Sequence, residues 1–271
     1  MPTTTPSIHP SAIIDPRATI ADSATVGPNC IIEGDVTLAE DVTLTASVHL
    51  KGPVTIGART RLYPFVAVGF EPQDYKFGPD AVTAGVTIGE DCLLREHVSI
   101  HCASNDHTPT RIGNRVFMMT SSHAGHDCQV HDDVVMVSGT LLGGHVIVEE
   151  KATLGGNSAV HQHCRVGKLA MLSGGVAISA DLPPFCTCHI INRIIGANVV
   201  GIRRAGFSKQ DVNAIKHAVG HVLRRTLPKG ETLAILDELG QDSEPVRHIA
   251  QFVRTAKKPI CAGAQKGPRG R

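Results

Sequence analysis

From Ile8 to Ile178 an apolar residue recurs at every sixth position with few breaks. The register runs Ile8, Ile14, Ile20, Val26, Ile32, Leu38, Leu44, Leu50, Ile56, Leu62 and Val68, and resumes at Ile88, Leu94 and Ile100. It continues from Ile112 through Met118, Ala124, Val130, Met136, Leu142, Val148, Leu154, Val160, Val166 and Leu172 to Ile178. Four residues after most of these stands a small or β-branched side chain, among them Ala12, Ala18, Cys30, Val36, Val98, Val116, Cys128, Val134 and Cys164. A hexad with two inward positions predicts a left-handed parallel β-helix, in which each hexad supplies one flat side and one turn and three hexads close a triangular coil. Coils then stack at the strand spacing of about 4.8 Å. The three- and four-residue recurrence of an α-helix begins only at Ser208.

The pattern divides the chain. Residues 1–7 are expected to be disordered and 8–183 to form the β-helix, interrupted by loops at 69–87 and 101–111. Interruptions in a solenoid tend to lie on one face and carry function. A linker is expected over 184–207 and a small helical domain over 208–256. Ser208 and Asp211 have the spacing of a capping box, and Val212, Ile215, Val219 and Val222 give the stripe behind it. Leu233, Leu236 and Leu239 mark a second helix and Pro245 opens a third, while 257–271 reads as a flexible basic tail.

Composition narrows the function. Aromatics are only 3% and Trp is absent, as slim inward positions require. A net charge of +1 argues against bulk electrostatic binding of nucleic acid. The chain lacks a signal-peptide pattern and an apolar run of membrane-spanning length, so a cytoplasmic location without stable membrane insertion is expected. Four of the eight cysteines, Cys30, Cys92, Cys128 and Cys164, occupy second inward positions and read as buried, reduced fillers. Cys186-Thr-Cys188-His189 is a weak metal signal, because two close cysteines are not the four well-spaced ligands of a usual zinc site.

Residues 18 apart should stack on successive coils. His126, Gly144 and Gln162 then form one ladder, flanked by Gly125, Gly143 and His161 on one side and Asp127, His145 and His163 on the other. If the second loop holds six inserted residues, His101 joins this corner one coil earlier. Such a corner suits general-base catalysis: a neutral His126 oriented by Asp127 takes a proton from a hydroxyl, and the Gly144 N–H faces a developing oxyanion. The competing structural explanation is that β-helix turns are exposed and take polar residues and glycine for geometric reasons.

With these residues in place the chain closely resembles the UDP-N-acetylglucosamine O-acyltransferases that begin lipid A synthesis. The resemblance rests on Pro72-Gln-Asp-Tyr-Lys76, His123-Ala-Gly-His-Asp-Cys128, Gly144-His145-Val, Val160-His-Gln162, Asp181-Leu-Pro-Pro-Phe185 and Gly201-Ile-Arg-Arg-Ala-Gly-Phe207. It implies transfer of a 3-hydroxyacyl chain from acyl carrier protein to the sugar 3-hydroxyl, by a homotrimer with clefts between subunits and without a cofactor. His126 would be the base, Asp127 its orienting group and Gly144 the oxyanion donor. Asp74 and Lys76 would contact sugar and acyl donor, and His123, His145, His161, Gln162 and Asn198 would bind substrate. Gly174 would limit acyl length, and Arg203 and Arg204 would meet substrate phosphates.

The chain departs from that pattern in places. Cys102-Ala-Ser follows His101 where the family usually has Arg-Gly-Thr, and Cys188-His-Ile-Ile-Asn192 replaces a Gln-Gly-Asn segment. Val200 replaces a carboxylate and Ala205 a basic residue. A different nucleotide-sugar acceptor and a non-catalytic scaffold are therefore open alternatives. So is a metal site: the His101…His126-x-x-x-x-His131 spacing is similar to the zinc ligands of the γ-class carbonic anhydrases.

Overall fold

A computed structural model of the chain describes residues 6–78, 81–225 and 227–263. The hexads fold into parallel strands, most only two or three residues long, that wind through three flat faces in rotation. The first face begins with Ser7–Ile8, the second with Ile13–Ile14 and the third with Thr19–Ile20. Within each face a strand pairs with one 18 residues further on, as in Ile13↔Ile31 and Ile14↔Ile32. Outside the loops every coil is therefore three hexads.

The predicted inward positions fill the prism. Val26, Leu44, Leu62, Leu94, Met118, Met136, Leu154 and Leu172 stack on the first face with 0–1% exposure, so these side chains are closed off from bulk solvent. Cys30, Cys92, Cys128 and Cys164 lie in this core as free thiols. From Asn29 onward most corners turn on a residue with positive φ, and most of these are not glycine: Asp41, Arg59, Asp91, Arg115, Asp127, His145 and His163 lie between +53° and +63°. A left-handed residue strains an L side chain by about 1–2 kcal/mol, a strain repeated at these corners because the hexad leaves only a few residues to change direction.

The two interruptions are bounded more tightly than the hexads imply. The first spans 71–85, between strands Ala67–Phe70 and Val86–Ile88. The second spans 102–109, between Ser99–His101 and Thr110–Ile112.

The ends differ from the sequence expectation. Ser7 is already in a strand paired with Thr25, and 1–5 lie outside the described residues. The segment 184–207 holds an antiparallel hairpin, Cys186–Ile190 against Arg193–Ala197, followed by helix α1, Val199–Arg204. Its strands are hidden from hexad counting because they alternate with period two. Helices α2, Lys209–His217, α3, Lys229–Leu239, and α4, Glu244–Arg254, follow. Ser208 caps α2, its hydroxyl accepting the Asp211 N–H at 3.0 Å. Part of the segment read as a tail is docked: Cys261 is buried, Ala262–Gly263 pairs with Arg193–Ile194, and Cys261 N donates to Asp181 O at 2.9 Å. The rest of that segment, 264–271, lies outside the described residues.

Candidate functional site

The corner between the second and third faces gathers the polar ladders. His145 N donates to His126 O at 2.9 Å and His163 N to Gly144 O at 3.0 Å, which locks the coils 18 residues apart in register. One coil earlier Ser99 pairs with His123, 24 residues on, whereas His123 pairs with Leu141 at the usual 18. The second loop thus inserts six residues and His101 reaches the same edge, its ring edge-on to His123 at 5.3 Å. His145 stacks on His163 with centroids 4.4 Å apart and meets His126 edge-on at 5.0 Å.

His126 and Asp127 form a tight pair, Nδ1 to Oδ2 at 2.6 Å, with the carboxylate nearly buried. Asp127 has φ +60°, and its N–H donates to the buried Thr110 hydroxyl at 2.8 Å. Its carboxylate also accepts the Ser104 hydroxyl at 2.6 Å, the Ser104 N–H at 3.1 Å and the Asn105 amide at 2.7 Å. Burial raises the carboxyl pKa, but the hydrogen bonds from His126 and Ser104 outweigh it and hold the group below the usual range. An ionised carboxylate on Nδ1 leaves Nε2 of a neutral imidazole as the proton acceptor. His145 Nε2 lies 3.5 Å from the same carboxylate, and burial lowers its pKa despite that charge. Burial, with His101 nearby, pushes His123 down to about 4, and Ser99 Oγ lies 2.9 Å from its Nδ1. His123 is thus neutral near pH 7.

Gly144 is required by its neighbour. A Cβ there would sit 2.5 Å from His126 Nε2 and 2.6 Å from Cε1, so the imidazole lies over the glycine backbone. Among the described residues the Gly144 N–H has no backbone acceptor. A free N–H beside the base is the geometry an oxyanion needs. Cys128 follows the dyad but is wholly buried, and burial pushes its thiol up to about 12, which removes it as a nucleophile near neutral pH.

A groove of about 700 Å³ runs along the outside of the second face from this corner, lined by Gln73, His123, Leu141, Gly143, Ala159, His161, Ala177 and Ile191 among others. Its floor is the outward row of that face, which is short and apolar beyond His123. Such a trough admits an extended aliphatic chain.

The predicted site residues separate into groups. His123, His126, Asp127, Gly144, His145, His161 and Gln162 share the corner and its rim. Asp74 and Lys76 lie exposed in the first loop, where the Lys76 N–H donates to Asp74 Oδ1 at 3.0 Å. Gly174 sits at the opposite edge of the second face, against Gly156 O. Asn198 caps α1, accepting the Gly201 N–H at 3.0 Å and donating to Leu169 O at 2.9 Å, so its side chain is engaged within the fold. Arg203 and Arg204 are exposed on α1 beyond the end of the β-helix. Hexad counting missed Gln73, Ser99, Ser104, Asn105 and Thr110. Four of these lie in or beside the interruptions, where register is undefined, and the only signal was that loops in a solenoid gather on one face.

The alternative metal set is not gathered within one chain. His131 follows the third-face strand Gln129–Val130 and stands at the next corner, away from His126. The His126, Asp127 and His145 donor atoms do lie within 4.8 Å of one another, though the short His126–Asp127 bond occupies two of them. In Cys186-Thr-Cys188-His189 the alternation of the strand sends both cysteines into the core and His189 outward onto Ser173.

Residues 181–261 match the family described as Udp N-acetylglucosamine O-acyltransferase, Domain 2. The acyl-[acyl-carrier-protein]–UDP-N-acetylglucosamine O-acyltransferase of Synechocystis sp. is 39% identical over 93% of this chain and 91% of its own. The enzyme of the same name from Janthinobacterium sp. is 38% identical over 97% and 98%. This chain belongs to the UDP-N-acetylglucosamine O-acyltransferase family. The solved UDP-N-acetylglucosamine acyltransferase of Francisella novicida superimposes with a TM-score of 0.90 at 30% identity, covering 94% of each chain. That of Moraxella catarrhalis gives 0.89 at 32% identity, over 94% of this chain and 99% of its own. The O-acyltransferase fold, a left-handed parallel β-helix with a small C-terminal helical region, therefore extends over nearly the whole chain.

Proposed function

We propose that the chain transfers a 3-hydroxyacyl group from acyl carrier protein to the 3-hydroxyl of UDP-N-acetylglucosamine, the first step of lipid A synthesis, with His126 as general base. Membership of the family supports the reaction. The observation that carries the mechanism is the 2.6 Å His126–Asp127 pair with the Gly144 backbone against the same imidazole. His126 Nε2 takes the proton of the sugar hydroxyl as its oxygen attacks the thioester carbonyl. The Gly144 N–H stabilises the resulting oxyanion. Collapse breaks the C–S bond, and the leaving thiolate recovers the proton from the imidazolium. The products are the sugar ester and the free carrier thiol.

The remaining roles are those the family resemblance implies. His123, His145, His161 and Gln162 line the acceptor side, and Asp74 and Lys76 meet sugar and acyl donor from the first loop. Gly174 sets acyl length, Arg203 and Arg204 meet substrate phosphates, and Asn198 contributes to substrate binding by holding the start of α1. We place the working enzyme in the cytoplasm as a homotrimer. Leu141 at 48%, Leu93 at 40% and Phe65 at 57% exposure support the trimer, as these outward apolar groups face water in a single chain. Among the described residues no helix is long and apolar enough to cross a membrane.

The test is acyl transfer from 3-hydroxyacyl carrier proteins of graded length to UDP-N-acetylglucosamine, alongside His126→Ala. Turnover in the parent and a loss of about 10² to 10⁴-fold in the variant are expected. Equal rates would remove His126 from the mechanism. Sedimentation should give three times the 28.7 kDa chain mass.

A further inference from the structure

The two insertions are sewn together around Asp127. Cys102 N donates to Phe70 O at 3.0 Å, Ala103 N to Gly85 O at 3.1 Å and Ala84 N to Asn105 O at 2.7 Å. The Thr83 hydroxyl closes onto Ala103 O. Within the second loop Asn105 Oδ1 accepts the N–H groups of His107 at 3.0 Å and Thr108 at 2.7 Å. Those two bonds fix the amide and leave its Nδ2 aimed at Asp127 Oδ1, at 2.7 Å. Each carboxylate oxygen of Asp127 then has two donors: Ser104 N and Asn105 Nδ2 on Oδ1, and Ser104 Oγ and His126 Nδ1 on Oδ2. A carboxylate otherwise turns broadly about its last torsion. Four converging donors allow one plane.

We propose that Ser104 and Asn105 are positioning residues for acyl transfer: they hold the Asp127 carboxylate in the one plane that keeps His126 Nδ1 bonded and Nε2 free for the sugar hydroxyl. The proposal rests on His126 being the base. It also gives the six-residue insertion a purpose, since Ser104 and Asn105, which supply three of the four donors, both lie within it. Because Asn105 O receives Ala84 N at the end of the first loop, the loop carrying Asp74 and Lys76 is tied to the same residue that holds the carboxylate.

The groups facing Asp127 are the His126 and His145 imidazoles and, within the core, the Cys102 and Cys128 thiols. With a Ser104 donor removed, the carboxylate is less neutralised and holds a proton on the facing imidazole more firmly. The acidic limb of the rate therefore moves to higher pH.

Steady-state kinetics of the full-length enzyme across pH test this with Ser104→Ala, Ser104→Thr, Asn105→Asp and His126→Ala. Loss of one charge-assisted hydrogen bond in Ser104→Ala should lower kcat about tenfold, leave KM for UDP-N-acetylglucosamine within about twofold, and displace the acidic limb. Ser104→Thr keeps the hydroxyl and should recover to within about threefold. Asn105→Asp sets a second carboxylate against Asp127 and should lower kcat about a hundredfold near neutral pH. The proposal is overturned if Ser104→Ala keeps the parent kcat and pH profile while His126→Ala is inactive, or if Ser104→Thr is as impaired as Ser104→Ala. An active His126→Ala enzyme would instead overturn the general-base reading beneath it.

Discussion

At the scale of single residues, the corner works because a glycine and an imidazole share one space. The missing Gly144 side chain is what lets the His126 ring occupy the space over the backbone of the next coil. Gly144→Ala should keep the chain folded, since Gly144 carries no positive φ, but displace His126 and lower kcat about 10² to 10³-fold, the loss typical of a disabled oxyanion donor. Kinetics together with a circular-dichroism melt would check both halves; a fully active alanine variant would sink the account of Gly144. The dyad and this glycine were legible in the sequence because they lie on uninterrupted hexads, where counting by 18 gives position. Ser104 and Asn105 were not, because an insertion has no period and its reach to Asp127 is a matter of loop closure.

At the scale of elements, each coil rests only on its neighbours, so stability is close to a sum of nearest-neighbour terms. The largest are inward aliphatic ladders. Leu94 is wholly buried between the layers of Leu62 and Met118. Leu94→Ala should destabilise by about 2–5 kcal/mol, read from the midpoint of denaturant unfolding. The corner between the third and first faces makes an instructive contrast. Asp91, Arg115 and Asp133 alternate in sign there, and Arg59 and Arg115 bond Asp91 and Asp133 at 2.7 Å. These pairs face solvent, where ion pairs are weak and screened. Arg115→Ala should leave the same midpoint almost unmoved, and a large shift would show that this ladder holds the coils in register. Sequence periodicity located the aliphatic ladder; only the paired strands reveal which charges meet, because the insertions change the spacing between neighbouring coils.

For the whole molecule, the helical region is held to the prism by buried polar contacts. Arg165 bonds the buried Asp181 at 3.0 Å, donates to Phe252 O at 2.8 Å and lies 4.0 Å over the Phe252 ring. His248 of α4 meets Glu149 of the β-helix at 2.8 Å. The bond to Glu149 raises the His248 pKa above 6.5, against the opposing effect of burial. Burial pushes Glu149 up, yet the bonds from His248 and the Lys168 N–H bring it below 4.5. A raised histidine pKa contributes stability that is complete below 6.5 and lost as pH rises through the folded value. A lowered carboxylate pKa contributes stability that is complete above 4.5 and lost as pH falls through the folded value. The latch is therefore strongest between about 4.5 and 6.5 and loosens as pH rises or falls beyond that window. Melting curves of parent and Glu149→Gln should differ most near pH 6 and converge toward about pH 9; a difference independent of pH would exclude this pair as the titrating contact.

The sequence by itself determined the β-helix, its inward ladders and the corner shared by His126, Asp127, Gly144 and His145. A strict repeat converts residue number directly into position, and steric demand inside a narrow prism leaves little choice of side chain. Tertiary structure alone decided what breaks that repeat. The antiparallel hairpin at 186–197 alternates with a period other than the hexad, and the docked strand Ala262–Gly263 pairs with residues about seventy positions earlier, which no local period encodes. The same holds for the insertions that clamp Asp127 and for Asn198, whose role as a helix cap depends on where α1 begins. Counting therefore places a repeat, while loop closure and distant pairing place the groups that finish the site.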